Sequence, residues 1–212
     1  MKKDLINQHA YYNNRFFGKW AWLYDYEKYF FFPLRRKAAR FLGLKPSAKI
    51  LDVATGTGAQ AYELAKLGYD VIGIDLSREM LKQAIKKCNS SLNLRFQQAD
   101  ATKLPFEDNS FEASSISLAL HDMPYEIDIL VLKEMKRVTK MNGDILIVDY
   151  MEPKKHFIAK LSHPFVSLYE TVNYAPFIKR SLDSILDKVG LKVDRATHFL
   201  GLAQIVVVKN KK

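Results

Sequence analysis

Apolar and polar positions settle into two alternating rhythms from about residue 48 onward. Lys49-Ile50-Leu51-Asp52-Val53-Ala54 is a short apolar run with a polar end, which predicts a buried strand. Thr55-Gly56-Thr57-Gly58 predicts a tight loop. Ala61, Leu64 and Ala65 then recur at helical spacing within residues 59–67, and Gly68 ends them. Val71 to Ile74 predicts a second strand, finishing at Asp75. Ser77 is placed to cap a helix running to Lys87, with Met80, Leu81, Ala84 and Ile85 as its apolar face. Leu94 to Gln97 is a third strand, closing at Ala99-Asp100. Phe111 to Leu120 is a fourth, and Ile127, Leu130, Val131, Met135 and Val138 form the next helical stripe. Gly143 to Tyr150 is a fifth strand. Leu182, Ile185, Leu186 and Val189 give one more helix, ended by Gly190. Leu191 to Phe199 and Leu202 to Val208 are two last strands joined at Leu200-Gly201.

Strands alternating with helices predict an α/β fold, a mostly parallel sheet with helices on both faces. The last two strands lie too close for a parallel crossover, which takes a dozen or more residues, so the final strand is expected to run antiparallel to its neighbour. Upstream, residues 11–42 read as helical with a break near Pro33, and Leu44-Lys45-Pro46-Ser47 as a connector. This predicts a helical N-terminal cap over residues 1–44 and a domain over 45–212, with a cap insert at about 151–181.

Composition changes the picture in two places. The single cysteine, Cys88, excludes a disulfide framework and a cysteine-based zinc site; no metal is expected, and a reducing, cytoplasmic address is the default. No uncharged apolar run approaches the ~20 residues of a membrane span, and the opening residues lack the apolar block of a signal peptide, so a soluble protein is expected. Charge is unevenly spread. Residues 1–40 carry nine basic and three acidic side chains, residues 41–150 carry 13 and 15, and residues 151–212 carry 11 and five. The first flank is also aromatic, with 12 Phe, Tyr and Trp between Tyr11 and Phe32. Three readings of that basic, aromatic flank stay open: a packed helix pair with a solvated face, a membrane-surface patch, and a nucleic-acid patch.

The chemistry concentrates at the predicted strand ends, where open α/β sheets bind ligands. Gly56 and Gly58 remove side chains where a ligand must approach the backbone. A carboxylate at Asp75 can accept both hydroxyls of a ribose, and Asp100 can accept from an adenine amino group. Gly56-x-Gly58-x-x-Ala61 with Asp75 also satisfies a loose dinucleotide fingerprint. Asp52, just before the loop, argues against that reading: its charge suits an ammonium and repels a pyrophosphate. The adenosine ligand implied has a cationic tail. Each residue has a plainer role too: a tight turn for the glycines, a helix cap for Asp75, a solvated loop acid for Asp100, a structural carboxylate for Asp52.

The string LDVATGTG, followed by VIGIDLSREML, QQADATKLPFEDNSFEASSISLALHDMP and LKEMKRVTKMNGDILIVDY, resembles class I S-adenosylmethionine-dependent methyltransferases. It is most similar in style to the group holding the ubiquinone and menaquinone C-methyltransferases, continuously over about 48–150. The resemblance implies a Rossmann-like seven-stranded sheet with its last strand antiparallel, and S-adenosyl-L-methionine as cofactor. It implies that Asp52, Ala54, Thr55, Gly56 and Gly58 hold the methionine part, Asp75 and Leu76 the ribose, and Asp100 and Ala101 the adenine. Leu118 to His121 would line the sulfonium side. Ala54 stands where many members have a glycine.

The acceptor is less defined. His121 falls where this family faces its acceptor, either as base or orienting donor or as a packed strand-end histidine. Trp20, Tyr24, Tyr150 and Tyr174 are the aromatic candidates for its pocket. The quinone enzymes usually carry Arg-Asn where this chain has His121-Asp122. Their tail is faintly echoed in residues 174–182, and residues 17–25 are similar to the openings of bacterial phospholipid N-methyltransferases. Both groups imply a small or lipid-like acceptor, with an anionic membrane surface as a partner held open. The alternatives are an RNA-directed methyltransferase using the basic flanks, and a cofactor-binding protein without transfer activity. The amino-methylation motif for nucleic-acid bases is absent after the fourth strand, so nucleic acid is the less favoured partner. Oligomeric state is not specified.

Overall fold

A computed structural model describes residues 31–88, 91–152 and 172–211. Residues 31–42 form helix α1, with Pro33 inside it. Strand β1 (Lys49–Val53), helix α2 (Ala59–Ala65), strand β2 (Asp70–Asp75), helix α3 (Arg78–Lys86) and strand β3 (Leu94–Gln98) follow. Strand β4 (Phe111–Ser117) leads into a single 3-10 turn, Leu120–Asp122, then helix α4 (Tyr125–Val138) and strand β5 (Thr139–Tyr150). Helices α5 (Tyr174–Arg180) and α6 (Leu182–Lys188) precede strands β6 (Val193–Phe199) and β7 (Ala203–Lys209).

The seven strands form one sheet in the order β3-β2-β1-β4-β5-β7-β6. Strands β1 to β5 pair in parallel, and β7 runs antiparallel to both β5 and β6. The closing hairpin pairs β7 antiparallel to β6, as the short connection requires, and β7 lies between β5 and β6. Because the chain proceeds from β1 outward to β3 and then returns to β4, the direction of winding reverses between β1 and β4. Loops leaving those two strands diverge there and open a crevice at the carboxyl ends.

Local chemistry explains the boundaries. Ser77 accepts the Met80 main-chain N–H at 3.3 Å and caps α3. Gly68 and Gly190 take left-handed φ values after α2 and α6, which glycine adopts without a Cβ clash. On α1, Phe31, Leu34, Ala38 and Leu42 are buried at helical spacing in the same core as the sheet. A fully buried Leu is worth about 1.5–3 kcal/mol, so α1 is firmly seated.

Three expectations need correction. Strand β4 stops at Ser117, not Leu120, because Leu118 adopts φ 53° and turns the chain. Ile85, expected on the buried face of α3, is 56% exposed, while Met80, Leu81 and Ala84 are buried. Strand β5 also starts earlier than Gly143, at Thr139, where Thr139 pairs with Phe111.

Candidate active site

The crevice at the β1/β4 divergence is a cavity whose wall includes Asp52, Ala54, Thr55, Gly56, Asp75, Leu76, Asp100, Ala101 and Leu118. Nine of the ten residues proposed from sequence for a cofactor thus meet on one surface. The tenth, Gly58, does not line it. A Cβ there would come within 2.6 Å of the Phe96 ring, and its φ is 79°, so this glycine serves close packing under the loop. Gly56 is the opposite case: a Cβ would meet nothing within 4 Å, so its missing side chain leaves open space at the cavity wall.

Asp52 is 1% exposed. Its two oxygens accept from the Thr55 hydroxyl at 2.6 Å and the Ser115 hydroxyl at 2.5 Å. Burial pushes its carboxyl up to about 6, against the pull of those hydroxyls and the Arg35 charge. Asp75 ties loop to strand, accepting from Gly56 N–H and Ser77 N–H, each at 2.8 Å. Burial at the cleft floor raises its carboxyl too. Asp100 accepts from the Thr102 main-chain N–H at 2.8 Å and hydroxyl at 2.7 Å, and both residues face the cavity.

His121 lies elsewhere. It is buried, does not line the cavity, and its Nδ1 sits 2.7 Å from Asp149 Oδ1. Asp149 Oδ2 accepts from the Leu120 and His121 main-chain N–H groups at 3.0 and 3.4 Å, which pins the 3-10 turn to β5. The ring stands edge-on to Tyr150, Tyr174 and Phe177, with centroids 4.8, 6.0 and 6.4 Å away. Tyr150 and Tyr174 are therefore buried in an aromatic cluster behind the turn and do not line the cavity either. Trp20 and Tyr24 lie outside the described residues.

Sequence reasoning missed two wall residues with charge. Arg35 reaches the cavity from α1, close enough to Asp52 to favour its anion. It was one of nine basic residues in its segment, and only the packing of α1 singles it out. Asp122 lines the cavity where His121 was the candidate. Nearby, Asp128 on α4 is fully buried with neither oxygen hydrogen-bonded among the described residues, and burial with the Asp149 charge pushes its carboxyl up to about 9.

A Rossmann-like sheet with an antiparallel last strand and an acidic, glycine-floored crevice at β1/β4 defines the S-adenosylmethionine-dependent methyltransferase architecture. Residues 50–143 match the family described as methyltransferase domain, and this stretch is such a domain. The solved structures agree in fold. A methyltransferase in complex with the Trm112 activator of Haloferax volcanii aligns at TM-score 0.74, over 93% of this chain and 98% of that one, at 18% identity. An Aquifex aeolicus S-adenosylmethionine-dependent methyltransferase aligns at 0.65, over 82% and 88%, at 23% identity. Among curated relatives, a demethylmenaquinone methyltransferase of Paenarthrobacter aurescens is 35% identical over 160 residues, 76% of this chain and 56% of that protein. The chain spans about half the length of the curated relatives it matches.

S-adenosylmethionine is the cofactor of this class, and the residues present suit it. Buried Asp52 offers a carboxylate whose charge is costly until a cation arrives, and the open space at Gly56 leaves the backbone approachable. Asp75 and Asp100 add acceptors further along the same wall.

Proposed function

We propose that this protein transfers a methyl group from S-adenosylmethionine to a hydroxylated aromatic acceptor of the quinol type, carrying a lipid-like tail. The observation behind the reading is the set of carboxylates, Asp52, Asp75 and Asp100, meeting at the carboxyl ends of β1 to β3 in a methyltransferase domain. The demethylmenaquinone methyltransferase relatives supply the acceptor class.

In this reading Asp52 pairs with the ammonium of the cofactor and Arg35 with its carboxylate. Asp75 accepts from the ribose hydroxyls and Asp100 from the adenine edge, with Leu76, Ala101 and Leu118 packing around them. When bound, the cofactor supplies a methyl group already activated by the sulfonium charge. The protein's part is to align the acceptor carbon with that methyl and to exclude water. Wall residues Ala119, Met123, Ile127 and Val131 keep the cavity apolar beside the carboxylates.

Residues 1–44 and 151–181 are proposed to cover the acceptor side, with Trp20 and Tyr24 among the covering aromatics. In support, the Phe31 ring stands edge-on to the Tyr150 ring with centroids 6.2 Å apart, and Asn173 donates to the Asp122 main-chain oxygen at 2.8 Å. Both contacts lie at the carboxyl edge of the sheet, next to the segments in question. The basic residues of those segments, with exposed Arg36, Lys37 and Arg40 on α1, would meet an anionic membrane surface. Among the described residues, no helix is long and apolar enough to cross a membrane.

The test has two parts. Calorimetry is expected to give micromolar binding of S-adenosylmethionine and S-adenosylhomocysteine, about 8 kcal/mol, and no competition by NAD. Anaerobic incubation with a prenylated 1,4-naphthohydroquinone should yield a product heavier by one methyl. Tight NAD binding without S-adenosylmethionine binding would falsify the cofactor assignment.

A further inference from the structure

We propose that Asp122 is the catalytic residue that takes the acceptor's proton, and that His121 and Asp149 are positioning residues behind it. This rests on the hydroxylated aromatic acceptor proposed above.

Placement comes first. Of the pair His121-Asp122, Asp122 lines the cavity and His121 does not. Asp122 follows Leu118 and Ala119, wall residues at the end of β4, so it belongs to the part of the wall furthest along the sheet from the Asp100 end of β3. Its side chain is 14% exposed.

The second observation is how firmly the turn carrying Asp122 is held. His121 Nε2 stands 3.5 Å from Asp122 Oδ2, while Nδ1 of the same ring is fixed by Asp149 at 2.7 Å. Asp149 also holds the turn's main-chain N–H groups, and Asn173 donates to the Asp122 carbonyl oxygen. The turn is therefore clamped from β5 on one side and from the residue preceding α5 on the other. Leu118, with φ 53°, is the strained residue that throws the chain out of β4 into this position. A turn clamped by such contacts holds the Asp122 main chain in place, and a proton-transfer group on it starts from a pre-organised backbone.

The chemistry balances. The acceptor ring carbon forms a bond to the methyl carbon as the methyl–sulfur bond breaks, and that bond's electron pair stays on sulfur. Positive charge thereby passes from sulfur to the acceptor, and the acceptor hydroxyl becomes acidic. Its proton moves to the Asp122 carboxylate. The ring C–H proton then leaves to water, aromaticity returns, and Asp122 gives its proton back to the oxygen. One proton is released per methyl transferred and no oxidant or reductant is consumed. In a cavity of low polarity a carboxylate facing that charge acts more strongly than in water.

The experiment uses the full chain, S-adenosylmethionine, and a prenylated 1,4-naphthohydroquinone kept reduced under argon. Asp122→Asn should lower kcat on the order of 10²–10⁴-fold, the range for a positioned proton acceptor, with the S-adenosylhomocysteine Kd within about threefold. Asp122→Glu should recover at least part of that loss. Asp122→Ala should weaken quinol binding to the S-adenosylhomocysteine-loaded protein about tenfold by calorimetry, a loss of one hydrogen bond to a charged group. His121→Gln should lower kcat with little change in quinol KM. If Asp122→Asn does not fold, Asp122→Ser is read in its place. Wild-type protein that binds S-adenosylhomocysteine yet methylates no quinol overturns the acceptor reading and this inference with it. An active wild type with Asp122→Asn within threefold of it overturns the Asp122 role alone. Loss of cofactor binding in Asp122→Asn also overturns it, since Asp122 would then belong to the cofactor site.

Discussion

Lowering the pH should weaken cofactor binding through one buried carboxyl. Asp52 is 1% exposed and burial pushes it up to about 6, so it is almost fully charged at pH 7.5 and about one-tenth charged at pH 5. An ammonium partner stabilises only the charged form and pulls the carboxyl back down in the complex. Binding therefore requires the deprotonated state, and affinity should fall about tenfold between pH 7.5 and 5. The contact itself, a hydrogen bond between two charged groups, is worth about 1.5–3 kcal/mol. Asp52→Asn should accordingly lose at least tenfold at pH 7.5 and show most of the slope removed. S-adenosylhomocysteine titrated by calorimetry from pH 5 to 8 reads this directly, since neither its amino nor its carboxyl group titrates there. A wild-type affinity constant within twofold over that range refutes the pairing of Asp52 with the ammonium. In the ligand-free protein the sign reverses. A carboxyl raised in the folded state relative to 3.8 disfavours folding above that pH, so this group adds stability as pH falls through 6 toward 3.8.

Asp128→Asn should stabilise the protein, by about 1–3 kcal/mol at pH 8 and less at pH 5. The folded carboxyl, pushed up to about 9, stays protonated while the unfolded one ionises above 3.8, a penalty that grows with pH and that urea unfolding will report. Ala54→Gly should raise stability by about 0.5–1 kcal/mol, because Ala54 is held at φ 51°, where a Cβ costs about 1–2 kcal/mol and glycine's extra unfolded freedom offsets part of the gain. Gly58→Ala should destabilise by about 1–3 kcal/mol through the Phe96 clash, measured as a lower midpoint in the same unfolding assay. Full-length protein should co-sediment with anionic vesicles more than with neutral ones, and less as salt shortens the Debye length below about 8 Å; equal binding to both removes the membrane surface from the proposal.

The legible part of the fold was the part governed by local chemistry. Ser77 as a cap, Gly68 and Gly190 as stops, and the short loop that forces β7 antiparallel all act within a few residues of themselves. The carboxylates at strand ends were legible for a related reason: parallel strands deliver their last residues to one edge. What stayed hidden depended on partners far along the chain. The apolar run through Leu118 and Leu120 looks like strand, and only the Asp149 carboxylate, 29 residues from Leu120, explains why the chain turns there. The same carboxylate, through its other oxygen, holds His121 away from the cavity and leaves Asp122 on its wall. Arg35 joins the site only because α1 docks on the core.

The charges on the wall also bear on how the cycle would end. Among the described residues lining the cavity, Asp52, Asp75, Asp100 and Asp122 are acidic and Arg35 is the one basic residue. S-adenosylmethionine carries an ammonium, a sulfonium and a carboxylate, one net positive charge. S-adenosylhomocysteine has lost the sulfonium and is neutral overall. An acidic, partly desolvated cavity therefore attracts the substrate form more than the product form before any shape difference is counted. Methyl transfer removes the charge that the wall favours. Asp52 keeps its Thr55 and Ser115 hydroxyl donors and the nearby Arg35 charge throughout. The net acidity of the wall would thus help to admit a cation and, once the sulfonium is spent, to release what remains.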